Sequence, residues 1–91
     1  MPKQFEDKQK ILARVRRIKG QVQSIDNAFE ANQSCSAILQ QICAVRGAIN
    51  GLMNELLEVH IKDTLVSGET TESQRQAELA DISKILKTYL K

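Results

Sequence analysis

The run from Ser34 to Val66 constrains this chain more than any other stretch. It contains no proline and carries apolar residues at Ile38, Ile42, Val45, Ile49, Leu52, Leu56 and Val59. Alternating steps of three and four are the mark of a packed helical stripe, so the spacing predicts one long helix. Its two most reactive side chains, Cys35 and His60, both fall on that stripe, Cys35 in heptad step with Ile42, Ile49 and Leu56. On a single helix they stand about 37 Å apart. No small molecule or metal ion spans that distance within one chain.

The middle of the run suggests how they meet. Ala44, Gly47, Ala48 and Gly51 form a patch of small residues, and Gly47–Ala48 is also the midpoint between Cys35 and His60. A helical glycine costs about 1 kcal/mol relative to alanine. Close approach of a second helix would give these glycines a reason. Two copies crossing antiparallel at the midpoint place Cys35 of each chain beside His60 of the other.

Glycine and proline number only 4 and 1 in 91 residues, and the aromatic residues are Phe5, Phe29 and Tyr89. The expectation is a single all-α domain over residues 1–91 with an aliphatic core. A helix as long as Ser34–Val66 cannot bury its stripe against two shorter partners, so the protein is expected to be an oligomer.

A first helix is predicted over Phe5–Glu30, where Ile11, Val15, Ile18, Val22, Ile25 and Phe29 keep the alternation and pack inward. Beside that stripe runs a second one of Lys10, Arg14, Arg17 and Gln21. Almost no acidic residue interleaves, so the cations repel one another unless an external anion neutralises them. The net charge is only +2, but the first twenty residues are strongly basic and the remainder is net acidic. A polyanion is the implied partner, nucleic acid before membrane. No signal peptide and no bilayer-length apolar run is present, which leads to a cytoplasmic expectation. Cys35 and Cys43 are then thiols rather than a disulfide, with Cys43 read as a small buried apolar residue.

Asn32 and Ser34 compete as N-cap of the long helix, and either one puts Cys35 in the first turn. There the helix dipole and unpaired N–H groups favour the thiolate, which is the form that attacks electrophiles and binds metals. Ser67–Gly68 is expected to end this helix. Thr71-Glu72-Ser73-Gln74 reads as a capping box opening a third helix, which carries Leu79, Ile82, Leu86 and Tyr89 on one face with Ile85 and Leu90 alongside. There is no helix-turn-helix, no phosphate-binding glycine loop and no Cys-x-x-Cys pair. One histidine per chain does not assemble a general base and a substrate pocket, so an enzyme is not expected.

Arg14–Val22 (RVRRIKGQV), Cys35, Ala37–Ile42 (AILQQI), Val45–Met53 (VRGAINGLM) and His60 together resemble the CsoR/RcnR/FrmR family of bacterial transcriptional repressors. The resemblance covers nearly the whole chain. It implies a three-helix protomer, an antiparallel four-helix-bundle dimer, and a homotetramer made as a dimer of dimers. It also implies operator DNA as partner, bound without a helix-turn-helix and released when a ligand occupies a site between subunits. By analogy Lys10, Arg14, Arg17 and Gln21 hold DNA, with Arg46 as a further candidate.

Within the family, effector choice resembles a fingerprint over the N-terminal tail and the positions of Cys35, His60 and Thr64. Copper(I) sensors carry a second cysteine where this chain has Thr64. Nickel/cobalt sensors, Ni(II)/Co(II), add histidines where it has Lys3 and Thr64. Persulfide sensors replace the histidine that here is His60. Formaldehyde sensors of the FrmR type pair an N-terminal proline with the cysteine, and this chain has Pro2 and Cys35.

Once Met1 is removed, Pro2 is a secondary amine with a pKa of about 8, so a useful fraction is unprotonated at neutral pH. A thiolate adds to formaldehyde and a neighbouring amine closes a methylene bridge. The implied effector site is thus Cys35 as nucleophile, Pro2 as second attachment point, and His60 and Thr64 lining it, with no cofactor required. A second reading keeps the repressor and binds Zn(II), Cu(I) or Co(II) through Cys35, His60 and either Asp63 or a backbone nitrogen. A third is a helical interaction module whose basic stripe docks an acidic protein.

Overall fold

In the computed structural model the described residues are 5–63 and 71–89, and they form three helices, α1 Phe5–Glu30, α2 Cys35–Ile61 and α3 Glu72–Tyr89. No strand occurs among the described residues, and the all-α, three-helix architecture matches the periodicity. α1 has the predicted bounds. α2 is α-helical to Ile61 and continues as a π turn through Lys62 and Asp63, the Lys62 N–H donating to the carbonyls of Glu58 and Val59; the expected continuation to Val66 lies outside the described residues. The expected Ser67–Gly68 stop lies outside the described residues.

The turn between α1 and α2 assigns the two competing caps to different helices. Asn32 has φ 56°. Its N–H donates to the Phe29 carbonyl at 3.1 Å, and the Gln33 N–H donates to the Ala28 carbonyl at 3.0 Å. This is a Schellman closure of α1, with asparagine in the left-handed conformation it tolerates better than most residues. A residue in that conformation cannot be an N-cap, which needs an extended backbone. Ser34 (φ −61°, ψ 152°) caps α2 instead, its Oγ accepting from the Ala37 N–H at 3.1 Å. Cys35 is therefore the first residue of α2.

α1 and α2 run antiparallel and share what core there is. Ala28, Ile38 and Val45 are the buried hydrophobic residues, with Ile11, Ile18, Ile25, Leu52 and Val59 half-buried around them. The other half of each stripe is open. Val15, Val22 and Phe29 on α1, and Ile42, Ile49 and Leu56 on α2, are 37–60% exposed, and Cys35 is exposed with them. The expectation that the whole α1 stripe packs inward is corrected here. A helix with one neighbour buries one heptad column, and the second column needs a second neighbour.

Cys43 is exposed as well, contrary to its reading as a buried residue, because it lies on neither the α1-facing column nor any other packed face. The small-residue patch also divides. A Cβ at Gly47 would meet nothing within 4 Å, whereas one at Gly51 would stand 2.9 Å from Arg14 Nη1 of the same chain. Gly51 makes room for α1, whereas Gly47 and Ala44 face open space.

α3 opens with the expected capping box: the Gln74 N–H donates to Thr71 Oγ1 and the Thr71 N–H to Gln74 Oε1, both at 3.2 Å. It lies antiparallel to α2, fixed by His60 to Glu78 near one end and Asn50 to Tyr89 near the other. Among the described residues its Cα atoms stay beyond 8 Å from those of α1 and α2, and it buries no residue. The principal extents are 54 × 31 × 13 Å, a slab about one helix thick.

Candidate functional site

α2 carries Cys35 at its first residue and His60 one residue before its end. Within one chain the two stay at opposite ends of the helix. Cys35 is exposed in a groove of about 340 Å³ walled by Phe29, Ile38, Leu39 and Ile42, with Asn32 and Gln33 at its rim. The groove exists because the Asn32 turn brings the end of α1 alongside the start of α2. Ser34 Oγ takes up the Ala37 N–H, so the cap and the thiol occupy the same first turn.

His60 sits at the other end, in a hollow of about 510 Å³ between α2 and α3 walled by Met53, Leu56, Leu57, Ile82 and Ile85. Its Nε2 is 2.5 Å from Glu78 Oε2, with the imidazole side chain 22% exposed and the carboxylate 47%. A carboxylate at Nε2 fixes the ring orientation. Glu78 was not among the residues the sequence singled out. Its signal is an acid at the edge of α3's apolar face, one residue before Leu79.

Asp63 follows His60 by three residues and is half-buried. Among the described residues no group of three His, Cys, Asp or Glu side chains could hold a metal ion. A thiolate and an imidazole at opposite ends of one helix can share a ligand only across two chains. Pro2 and Thr64 lie outside the described residues.

The basic stripe of α1 presents Lys10 and Arg17 to solvent, and Arg46 on α2 is exposed too. Gln21 is half-buried, and its Oε1 is buried without a hydrogen-bond partner among the described residues. Arg14 behaves differently. Its Nε donates to Glu55 Oε2 of α2, with side chains 43% and 22% exposed. The stripe therefore does have an acidic neighbour, supplied from a helix forty residues on rather than from α1 itself. The glycine at 51, one turn before Glu55, is the trace this contact leaves in the sequence.

Comparison with known proteins places this geometry. Residues 7–88 match the family described as Metal-sensitive transcriptional repressor. The chain is 40% identical over 87 residues to Transcriptional repressor RcnR of Salmonella paratyphi B, covering 96% of each. It is 47% identical over 85 residues to a Serratia marcescens protein described as an uncharacterized protein in the bioA 5′ region, covering 93% of each. Its structure superposes with a TM-score of 0.90 on a variant of the Formaldehyde-Responsive Regulator FrmR from Salmonella enterica serovar Typhimurium, at 57% identity, covering 97% of this chain and 99% of that one. Three helices, a basic α1 and a cysteine opening α2 are thus the features of a regulator rather than a catalyst. The chain belongs to the metal-sensitive transcriptional repressor family, the CsoR/RcnR/FrmR family, and is a DNA-binding transcriptional repressor of that kind.

Proposed function

We propose that this repressor is released from its operator by formaldehyde reacting at Cys35. The observation that carries the reading is the exposed Cys35 thiol in its groove at the start of α2. Pro2 and the 57% identity to a formaldehyde-responsive regulator support it. The thiolate adds to the aldehyde carbon and the oxygen takes a proton, giving a hydroxymethyl thioether. The neutral Pro2 amine then displaces that oxygen as water, forming a sulfur–methylene–nitrogen bridge with a net gain of about 12 Da. The bridge ties the tail to the start of α2 and alters the packing of the assembly on DNA.

The assembly in this reading is a dimer joined along the open column of Cys35, Ile42, Ile49 and Leu56, and a tetramer of two such dimers. The column's exposure in one chain supports this. Antiparallel pairing about Gly47–Ala48 sets Cys35 of each chain near the partner's His60 end, where Thr64 also lines the site. Lys10, Arg14, Arg17 and Gln21, with Arg46, form the face that contacts operator phosphates. Coupling of about 1–3 kcal/mol between effector and DNA suffices for release.

The family's description as metal-sensitive supports a second reading, in which Zn, Cu, Co or Ni is the effector. Cys35 with His60 and Asp63 of the neighbouring chain would hold it, Glu78 orienting the imidazole from behind. A thiolate, an imidazole and a carboxylate make three donors, one fewer than a closed zinc site.

The test uses operator DNA selected from a random-duplex pool and Met1-cleaved protein. Fluorescence anisotropy follows release on titration with formaldehyde, Zn(II), Cu(I), Co(II) and Ni(II) separately, with intact mass recorded on the same samples. Release by formaldehyde with the mass gain of one bridge per chain, absent in Cys35→Ala, is the expected result. Release by metal alone, with no adduct, overturns it in favour of the metal reading.

A further inference from the structure

The Arg14–Glu55 contact spans the seam between the DNA-facing helix and the helix that carries Cys35. Arg14 is on α1, in register with Lys10 and Arg17, yet its guanidinium is drawn across to α2. Gly51 makes this possible, since a Cβ there would stand 2.9 Å from Arg14 Nη1 and 3.8 Å from its Cζ. Glu55, one helical turn further on, accepts from Arg14 Nε. The carboxylate side chain is 22% exposed and the guanidinium 43%. Glu55 is thus the more enclosed member, and Arg14 keeps a flank in solvent. Among the described residues Lys10 and Arg17 have no acidic partner.

From this geometry we infer that Glu55 is a positioning residue for DNA binding: in the DNA-free protein its carboxylate occupies Arg14, and an operator phosphate must compete for the same guanidinium. A carboxylate and a phosphate present the same kind of anionic oxygen to arginine. The cation nearest the middle of the stripe is therefore held in reserve, while Lys10 and Arg17 are available to meet DNA first. The inference rests on the reading of α1 as the DNA face.

The experiment measures affinity for the selected operator duplex by anisotropy over a range of salt concentrations. The proteins are the full-length chain, Glu55→Gln, Arg14→Gln, the double variant and Gly51→Ala. Removing the competing charge in Glu55→Gln is expected to tighten binding about two- to fivefold at low salt, the span of a partly exposed ion pair. That gain shrinks as salt rises, because the pair it removes is itself screened. In the Arg14→Gln background the Glu55→Gln change is expected to do nothing. Gly51→Ala crowds Arg14 Nη1 and so loosens its seat on α2 without altering any charge and with a better helix former, so it too is expected to tighten binding. It also keeps the test decisive if Glu55→Gln fails to fold.

Weaker or unchanged binding by both Glu55→Gln and Gly51→Ala, with assembly and melting temperature as in the parent, overturns the competition. If Arg14→Gln itself leaves operator affinity unchanged, the DNA-face reading beneath it falls instead.

Discussion

His60 Nε2 and Glu78 Oε2 lie 2.5 Å apart, and this contact is a polar tie that holds α3 alongside α2. A second, at 2.7 Å, runs from Tyr89 Oη to Asn50 Oδ1 near the far end of α3. With no residue of α3 buried, polar ties contribute to its docking beside the apolar contacts. Glu78→Gln is expected to cost α3 about 1 kcal/mol of protection, discounted because the carboxylate is half exposed. Tyr89→Phe should cost a similar amount at the other end. Amide hydrogen exchange across Glu72–Tyr89 would show it, and unchanged protection in both variants would mean that neither contact helps to seat the helix.

Ser34 and Asn32 respond to opposite substitutions. Ser34→Ala removes the acceptor for the Ala37 N–H and is expected to cost about 1 kcal/mol. Asn32 sits at φ 56°, so Asn32→Gly should be neutral or slightly stabilising while Asn32→Val costs about 1–2 kcal/mol. Thermal melts of the three variants provide the check, and the order of the two Asn32 variants is the sensitive part.

Ile49 looks dispensable in a single chain, being 45% exposed. If its column is an interface between copies, Ile49→Lys buries a charge there and dissociates the assembly. Sedimentation should then report smaller species at concentrations where the parent is fully assembled. Lys19→Glu, an equally large change of charge on an exposed position of α1, should leave the assembly intact. An Ile49→Lys protein of parental size would sink the antiparallel dimer.

The two thiols are both exposed but are expected to differ in consequence. Cys35→Ala should keep operator affinity and lose formaldehyde-induced release together with the mass adduct. Cys43→Ala should change neither. Release that survives in Cys35→Ala would move the reactive centre elsewhere.

Arg17→Gln tests the DNA face away from the Glu55 contact. Loss of one phosphate contact lowers the magnitude of the slope of log affinity against log salt by about 0.9. It should weaken operator and random duplex alike, since a phosphate contact carries no base information. A loss confined to the operator would instead make Arg17 a base reader.

The three helices were legible because their signals are local. The alternation from Ile11 to Phe29 set the length of α1, and the Thr71–Gln74 capping box located the start of α3. The separation of Cys35 from His60 also followed from helix rise alone. Three features were not legible, each because it depends on a neighbour that is distant in sequence. Asn32 and Ser34 are both good caps, and the choice between them was made by how α1 ends. Gly51 read like a bed for a second chain, although its occupant is Arg14. Cys43 read as buried because small apolar residues usually are, but a helix with a single close neighbour leaves most of its circumference wet. The partner of His60 could not be read at all, since it depends on where α3 lies.

A slab 13 Å through has little inside beyond Ala28, Ile38 and Val45, and in the proposed assembly that makes the amount of this protein part of its behaviour. If the hydrophobic columns left open on one chain are closed by other chains, as in the proposed assembly, the population of working repressor rises with more than the first power of chain concentration. Halving synthesis would thin the repressor by more than half, and dilution at cell division would act in the same direction. The gene's output would then behave as a threshold, with control of its target lost over a narrow range of dosage rather than in proportion to it.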